Sequence, residues 1–427
     1  MDRTIQPEIQ TLKNFRILAP VRSTLPNGIP LTVINAGEQD VVRMDILFAG
    51  GRWQQSQKLQ ALFTNRMLRE GTTKYTAATI AEKLDYYGSW LELSSASEYA
   101  YITVYSLNKY LAKTLEIVES MIKEPLFPEK ELRTILDTNI QQYLVNTSKV
   151  DFLAHRSLLK SLYGEQHPCG KIVMEEDYHT ITPDVLRNFY EQHYHSGNCS
   201  IFLSGKVTED TIRRVTDTFG VPFGQHQLQM PKLSFPFAAV PEKRIFTECE
   251  DAMQSAVKMG CTTITREHPD YPKLRVLMTL FGGYFGSRLM SNIREEKGYT
   301  YGISAGIMFY PDSGMLLVST ETDNEYVEPL IQEVYHEIDR LHQEPVSMEE
   351  LTMVRNYMLG EMCRSYESPF SLSDAWIFIA TSGLTDDYFS HSLHAVNEIT
   401  PAEIQDLAQR YLCKETLKEV IAGKKLS

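Results

Sequence analysis

One stretch of this chain occurs twice. Ile181–Lys206 reads ITPDVLRNFYEQHYHSGNCSIFLSGK and Ile399–Lys424 reads ITPAEIQDLAQRYLCKETLKEVIAGK, and the two align without a gap. Each opens on Thr-Pro, a helix cap followed by a first-turn proline, and each closes on a strand ending in Gly-Lys. Upstream, Glu124-Pro125 and Glu131-Leu132 echo Glu344-Pro345 and Glu350-Leu351. An offset this large, shared by several elements, means two copies of one domain and not a short-period solenoid. A length of 427 residues also asks for about two domains. The segment 225–243, QHQLQMPKLSFPFAAVPEK, holds three prolines and no clear period, which marks a linker. The expected units are therefore residues 1–224 and 244–427. Strands interleaved with helix pairs place both in the α+β class, with helices packed on one face of a sheet.

Charge and cysteine usage narrow the function classes. A net charge of -13 argues against a nucleic-acid surface. The six cysteines contain no C-x-x-C pair, so neither a zinc knuckle nor a redox motif is expected. Scattered thiols in a long chain point to a reducing, cytoplasm-like compartment. The segment MDRTIQPEIQTLKNF has no apolar core of signal-peptide type, and no run of about 18 apolar residues predicts a membrane span.

The richest local stretch is Phe281–Tyr310, FGGYFGSRLMSNIREEKGYTYGISAGIMFY. Gly282-Gly283 breaks an apolar run. A helix is expected to restart at the potential cap Ser287, to bury Leu289, Met290 and Ile293, and to stop at Gly298. A strand is expected from Tyr299. Arg294 then sits near the helix end and Tyr301 on the strand, and a helix–Gly–strand turn can bring both to one surface. The plain reading makes Arg294 a solvated charge and Tyr301 a half-buried strand residue. Elsewhere, His193 and His195 form an H-x-H pair with no third ligand and are expected at the surface of a helix end. In HPCGK, His167 and Cys169 are too close along the chain to pair easily as a nucleophile and base.

These motifs together resemble the insulinase/pitrilysin-type metallopeptidases, the inverzincins, and within them the half-size, processing-peptidase-like branch. GGRW at Gly50–Trp53, REGT at Arg69–Thr72, HPCGK, FYEQHYHSGNCSIFLSG and SRLMSNIREEKGYTYG carry the resemblance from about Leu25 to Lys424. It implies two homologous domains related by a pseudo-twofold, each a mostly antiparallel sheet with helices on one face.

The same resemblance exposes a departure. The family carries H-x-x-E-H on the first helix of its N-terminal domain, before a Gly-Thr. The matching residues are Leu62, Asn65 and Arg66, ahead of Gly71-Thr72. The third ligand, a glutamate on a later helix, corresponds to Gln142, or to Gln141 if the alignment slips by one. Leucine has no lone pair to give, an amide is no general base, and arginine stays protonated. At about 4 Å and an effective dielectric of about 20, a guanidinium repels a dication by roughly 8 kcal/mol. No metal is expected in this chain. Leu62 and Phe63 are expected in the core, and Arg66 beside an acid. The strand that holds peptide in the family is altered too, with Glu92-Leu93 at its Asn-Ala positions.

The second domain keeps its counterpart. The resemblance implies that Arg294 and Tyr301 match a pair that reaches across to a peptide held at zinc. The expected protein is a non-catalytic subunit of a heteromeric zinc endopeptidase. Zinc would sit in a homologous partner subunit, and a homodimer is possible when the chain is alone. A proteolytically inactive scaffold or peptide-binding protein of the same fold is the alternative expectation.

Overall fold

The computed structural model of the chain describes residue 4 and residues 17–224 and 233–425. Residues 225–232, the first part of the expected linker, lie outside the described residues. Among the described residues the strands form two sheets. The first contains β1 (Val21–Thr24), β2 (Pro30–Asn35), β3 (Val41–Phe48), β4 (Trp90–Ser95), β5 (Ala100–Leu107) and β6 (Cys199–Gly205), in the order β1-β2-β6-β3-β5-β4. The second contains β7 (Arg244–Glu248), β8 (Gln254–Thr263), β9 (Ile303–Tyr310), β10 (Ser313–Asp323) and β11 (Lys418–Gly423), in the order β7-β11-β8-β10-β9.

Apart from the extra edge strand β1, the two orders are the same. In each, one parallel pair, β2 with β6 or β7 with β11, joins an otherwise antiparallel ladder. The sequence repeat is the helix–strand unit that supplies β6 and β11. Its helices, Pro183–His193 and Pro401–Tyr411, start alike. The Thr182 and Thr400 hydroxyls accept from the backbone N–H three residues on, and proline occupies the first turn of each. Ile181 and Ile399, just ahead of the caps, are both buried. The same residues fold alike because cap, proline and apolar spacing all agree.

Each domain's own helices cover one face of its sheet and close a separate core. The other face is closed by the opposite domain. The helix Pro369–Thr381 of the second domain puts Leu372, Trp376 and Ile377 against Ile34, Leu47 and Phe202 of the first sheet. The helix Val150–Tyr163 of the first domain puts Ala154, Leu158 and Leu162 against Ala256, Met315 and Val420 of the second. Full burial of side chains of this size is worth about 1.5–3 kcal/mol each.

A polar pin accompanies each exchange. On β3, Arg43 donates through Nε to Asp45 Oδ1 at 3.0 Å and through Nη2 to Asp374 Oδ1, on the visiting helix, at 2.6 Å. Thr103 and Ser373 also donate to the Asp45 carboxylate. On β8, Lys258 Nζ reaches the Asp151 carboxylate of the other visiting helix and the Ser319 hydroxyl. The described end of the linker runs beside the helix Val150–Tyr163, where Ala238 and Val240 donate backbone N–H groups to the carbonyl oxygens of Tyr163 and Ser161.

The H-x-H histidines are not at the surface. His193 is 1% exposed and His195 is 4% exposed. The expectation failed because the helix end points into the sheet: His193 packs on Phe189, with ring centroids 4.2 Å apart, and Gly50 leaves room for it. Burial, with His195 adding to it and the Ala49 carbonyl opposing, holds the His193 imidazole down at about 4.

Two outcomes follow from these contacts. Asp45 is 1% exposed, so Asp45→Ala leaves Arg43 short of a buried partner. It should lower unfolding stability by about 3 kcal/mol or more, measured by urea titration. His193 is neutral when folded and has a pKa near 6.5 when unfolded, so protons bind the unfolded chain first as pH falls. Stability should then drop by about 2 kcal/mol between pH 7 and pH 5, and level off only below about pH 4. His193→Gln should flatten that part of the stability–pH curve.

Candidate functional site

The first candidate surface is the helix Gln60–Met67, which lies against β4 and β5. Its apolar face is as expected: Phe63 is fully buried and Leu62 packs, half-buried, on the first core. Asn65 is buried, with Nδ2 pointing to the Tyr101 carbonyl oxygen at 3.4 Å. The Tyr194 hydroxyl lies beside it, yet neither that oxygen nor Asn65 Oδ1 has a well-aligned hydrogen bond.

Among the described residues Arg66 has no acid beside it, contrary to expectation. Its Nη1 donates to the amide oxygen of Asn139 at 2.6 Å, on the helix Glu129–Thr147. Burial pulls its pKa below the usual arginine value, with Arg69 adding to the effect and Tyr178 opposing it. Gln142, one turn further along that helix, is exposed and points its amide at Asn146 Oδ1, 3.4 Å away; Gln141 is exposed too. Asn139 was missed in the sequence. The available signal was its place three residues before Gln142, on the same helix face, with an oxygen that a guanidinium can use.

These residues do not fit zinc. The pocket offers an alkyl chain, two amides and a cation where neutral imidazole and carboxylate are needed. Arg66 fills the space between the two helices with its own charge. Among the described residues, no group of three or more His, Cys, Asp or Glu side chains is placed to hold a metal ion.

The second candidate surface is built around Arg294. A helical turn runs on through the glycine pair, over Thr279–Gly283, where a break was expected. Gly282 is needed there because β9 crosses it closely: a Cβ would lie 2.6 Å from the Ala305 backbone nitrogen. The next helix begins after Ser287, as expected, but the Ser287 hydroxyl is buried without a partner and caps nothing. That helix ends in a wide turn over Met290–Glu296 and stops at Gly298, whose φ is +69°.

Tyr301 is not on the strand. β9 begins at Ile303, and Tyr301 sits in the bend before it. The Thr300 hydroxyl fixes the bend by donating to the Glu321 carbonyl oxygen at 2.6 Å and accepting from the Gly302 N–H at 3.1 Å. A side-chain bond of this kind replaces ladder pairing and turns the next residue outward. Tyr301 is 92% exposed. The Arg294 guanidinium carbon lies 5.5 Å from the Tyr301 ring centre and 4.6 Å from that of Phe285, which is 62% exposed. Cation–π contacts at such exposed positions are worth about 0.5–1 kcal/mol. Among the described residues, Arg294 has no hydrogen bond or ion pair. The structure thus brings Arg294 and Tyr301 together and adds Phe285, which sequence reasoning passed over. No hydrogen bond, ion pair or ring contact among the described residues joins this group to Arg66.

The HPCGK loop is structural. His167 is buried, accepts through Nδ1 from the Cys169 backbone N–H at 3.1 Å, and meets Asp312 Oδ2 of the second domain through Nε2 at 3.0 Å. Burial pushes the Cys169 thiol up to about 12, so it is no nucleophile at neutral pH.

Comparison with known proteins agrees with this architecture. Residues 34–175 match the model of the insulinase family, peptidase family M16, and residues 180–358 match the model of the peptidase M16 inactive domain. An uncharacterized zinc protease YmxG of Bacillus subtilis is 23% identical over 354 residues, covering 81% of this chain and 84% of that protein. A non-peptidase homolog YmxG of Helicobacter pylori is 22% identical over 356 residues, covering 81% of this chain and 80% of that protein. The crystal structure of a peptidase M16 inactive domain from Pseudomonas fluorescens superposes with a TM-score of 0.86 at 22% identity, covering 96% of this chain and 99% of that one. A protease from Helicobacter pylori superposes with a TM-score of 0.87 at 14% identity, covering 96% and 100%. The chain belongs to the peptidase M16, or insulinase, family.

Proposed function

We propose that this protein is a non-catalytic subunit of a two-chain zinc endopeptidase. It supplies Arg294 and Tyr301 to a reaction whose zinc and activated water belong to a homologous partner. The observation that carries this reading is the state of Arg294. Its charge rests on two exposed rings, with no hydrogen bond or ion pair among the described residues. A surface arginine kept solely for solubility gains little from such a platform. A donor that must meet an incoming carbonyl gains orientation in advance.

In the proposed complex the guanidinium donates a charge-assisted hydrogen bond to a peptide carbonyl. The Tyr301 hydroxyl would donate to the carbonyl oxygen on which negative charge develops, and a zinc held by the partner would supply the activated water. The first domain of this chain takes no part in that chemistry, because Arg66 occupies its metal position. Similarity to an inactive-domain model, and to a relative named as a non-peptidase homolog, supports a chain that does not hydrolyse peptides alone.

The test is co-expression with the H-x-x-E-H homologue of the same genome, followed by a fluorogenic peptide assay. The mixture should be active and chelator-sensitive, and each chain alone should not be. Arg294→Ala should lower kcat/KM by about 100-fold without dissociating the complex. A fully active Arg294→Ala complex would refute the role. Absence of activity in every such mixture would favour the inactive scaffold.

A further inference from the structure

Two guanidinium groups beside the spoiled metal pocket have no carboxylate partner among the described residues. Among the described residues Arg66 makes one hydrogen bond, to the Asn139 amide oxygen at 2.6 Å, and its side chain is half-buried. Arg156, on the helix Val150–Tyr163, donates to the Val173 carbonyl oxygen at 2.6 Å and lies 5.6 Å from the centre of the Tyr143 ring. Asn139 and Tyr143 are four residues apart on the helix Glu129–Thr147, so the two guanidiniums meet one face of that helix. Their basic neighbours Lys58 and Arg69 are already paired, with Asp177 and Glu70. A chain of net charge -13 has acids to spare, yet among the described residues none pairs with Arg66 or Arg156. A half-buried cation without a counter-ion has lost solvation that nothing in the protein restores, so it favours an incoming anion.

The position of the pocket says which kind of anion. Asn65, next to Arg66, points to the carbonyl oxygen of Tyr101, and Tyr101 pairs with Ser94 on β4. β4 is the outermost strand of its sheet, so its far edge has free backbone donors and acceptors. An extended chain that adds to this edge passes the helix that carries Arg66. We propose that the former metal pocket is a carboxylate-binding site for an extended peptide, with Arg66 as the anchoring fork. The substitution that abolishes metal binding replaces a dication with a planar monocation, whose natural partner is a carboxylate and not a carbonyl alone. The carboxylate comes from the peptide's C-terminus or from an acidic side chain. The inference concerns the first domain only and stands whether or not Arg294 serves a partner.

The test uses the full chain and three fluorescein-labelled hexapeptides of alternating Thr and Val, followed by fluorescence anisotropy. One has a free C-terminus, one a C-terminal amide, and one is the amide with a single internal Asp. At least one carboxylate peptide should bind about tenfold more tightly than the plain amide. The stronger of the two identifies the source of the carboxylate. Arg66→Gln, which keeps a donor for Asn139, should erase the preference, and Arg66→Lys should keep it in part. Equal Kd values for all three peptides, or no binding of any, would overturn the proposal. So would a preference that survives Arg66→Gln and vanishes in Arg294→Ala, since the carboxylate would then sit at the other domain.

Discussion

The fold depends on a reciprocal exchange. Each sheet has one face that its own domain cannot cover, and each is closed by a single helix from the other domain. An exposed apolar sheet face would be an association hazard, so neither domain is complete alone. Arg43 with Asp374 and Lys258 with Asp151 set the position of these helices. Each joins a buried cation to an aspartate that is about half exposed, an arrangement that adds little net energy but restricts where the helix can sit. Apolar contact supplies the driving force here, and the charges choose the register.

This exchange fixes where the two candidate surfaces can lie. With both outer sheet faces occupied, the chemistry is left to the helices on the inner faces and to the free edges β4 and β9. The zinc-motif helix lies along β4, and the loop that presents Arg294 and Tyr301 leads into β9. They come from different steps of the repeat: by the matched strand orders, Gln60–Met67 corresponds to the helix Tyr271–Met278, and the Arg294 segment to the helix Ala77–Tyr87 that precedes β4. The first sets a guanidinium against an amide, while the second presents a cation over two aromatic rings.

Much of this was legible in the residues. The repeat at Ile181 and Ile399 is local, so caps, proline and apolar spacing suffice to identify it, and its topological meaning followed. The chemistry of Leu62, Asn65 and Arg66, none of which is a metal ligand, was legible because it concerns residue type and not geometry. The failures share a cause. Arg66 was assigned an acid and met Asn139, Tyr301 was assigned to a strand and sits in a bend, and His193 was assigned to the surface and is buried. Each of these depends on which element crosses which. Thr300 bonding to Glu321, or Gly50 leaving space for an imidazole, joins residues that no periodicity connects. Phe285 was invisible for the same reason: an aromatic in a glycine-rich turn has meaning only once Arg294 is seen beside it.

The exchanged helices also bear on how the chain is made. Arg43 lies 331 positions ahead of the aspartate that pins the helix over its sheet. A ribosome has therefore delivered almost the entire protein before the first domain can be sealed. Until then Ile34, Leu47 and Phe202 face water, although the strands that carry them left the tunnel long before. Closure of so distant a contact carries a large loop entropy and comes late. The nascent first half is thus an unfinished object, open to chaperones and to premature pairing with its own kind, and the last quarter of the polypeptide acts as its lid.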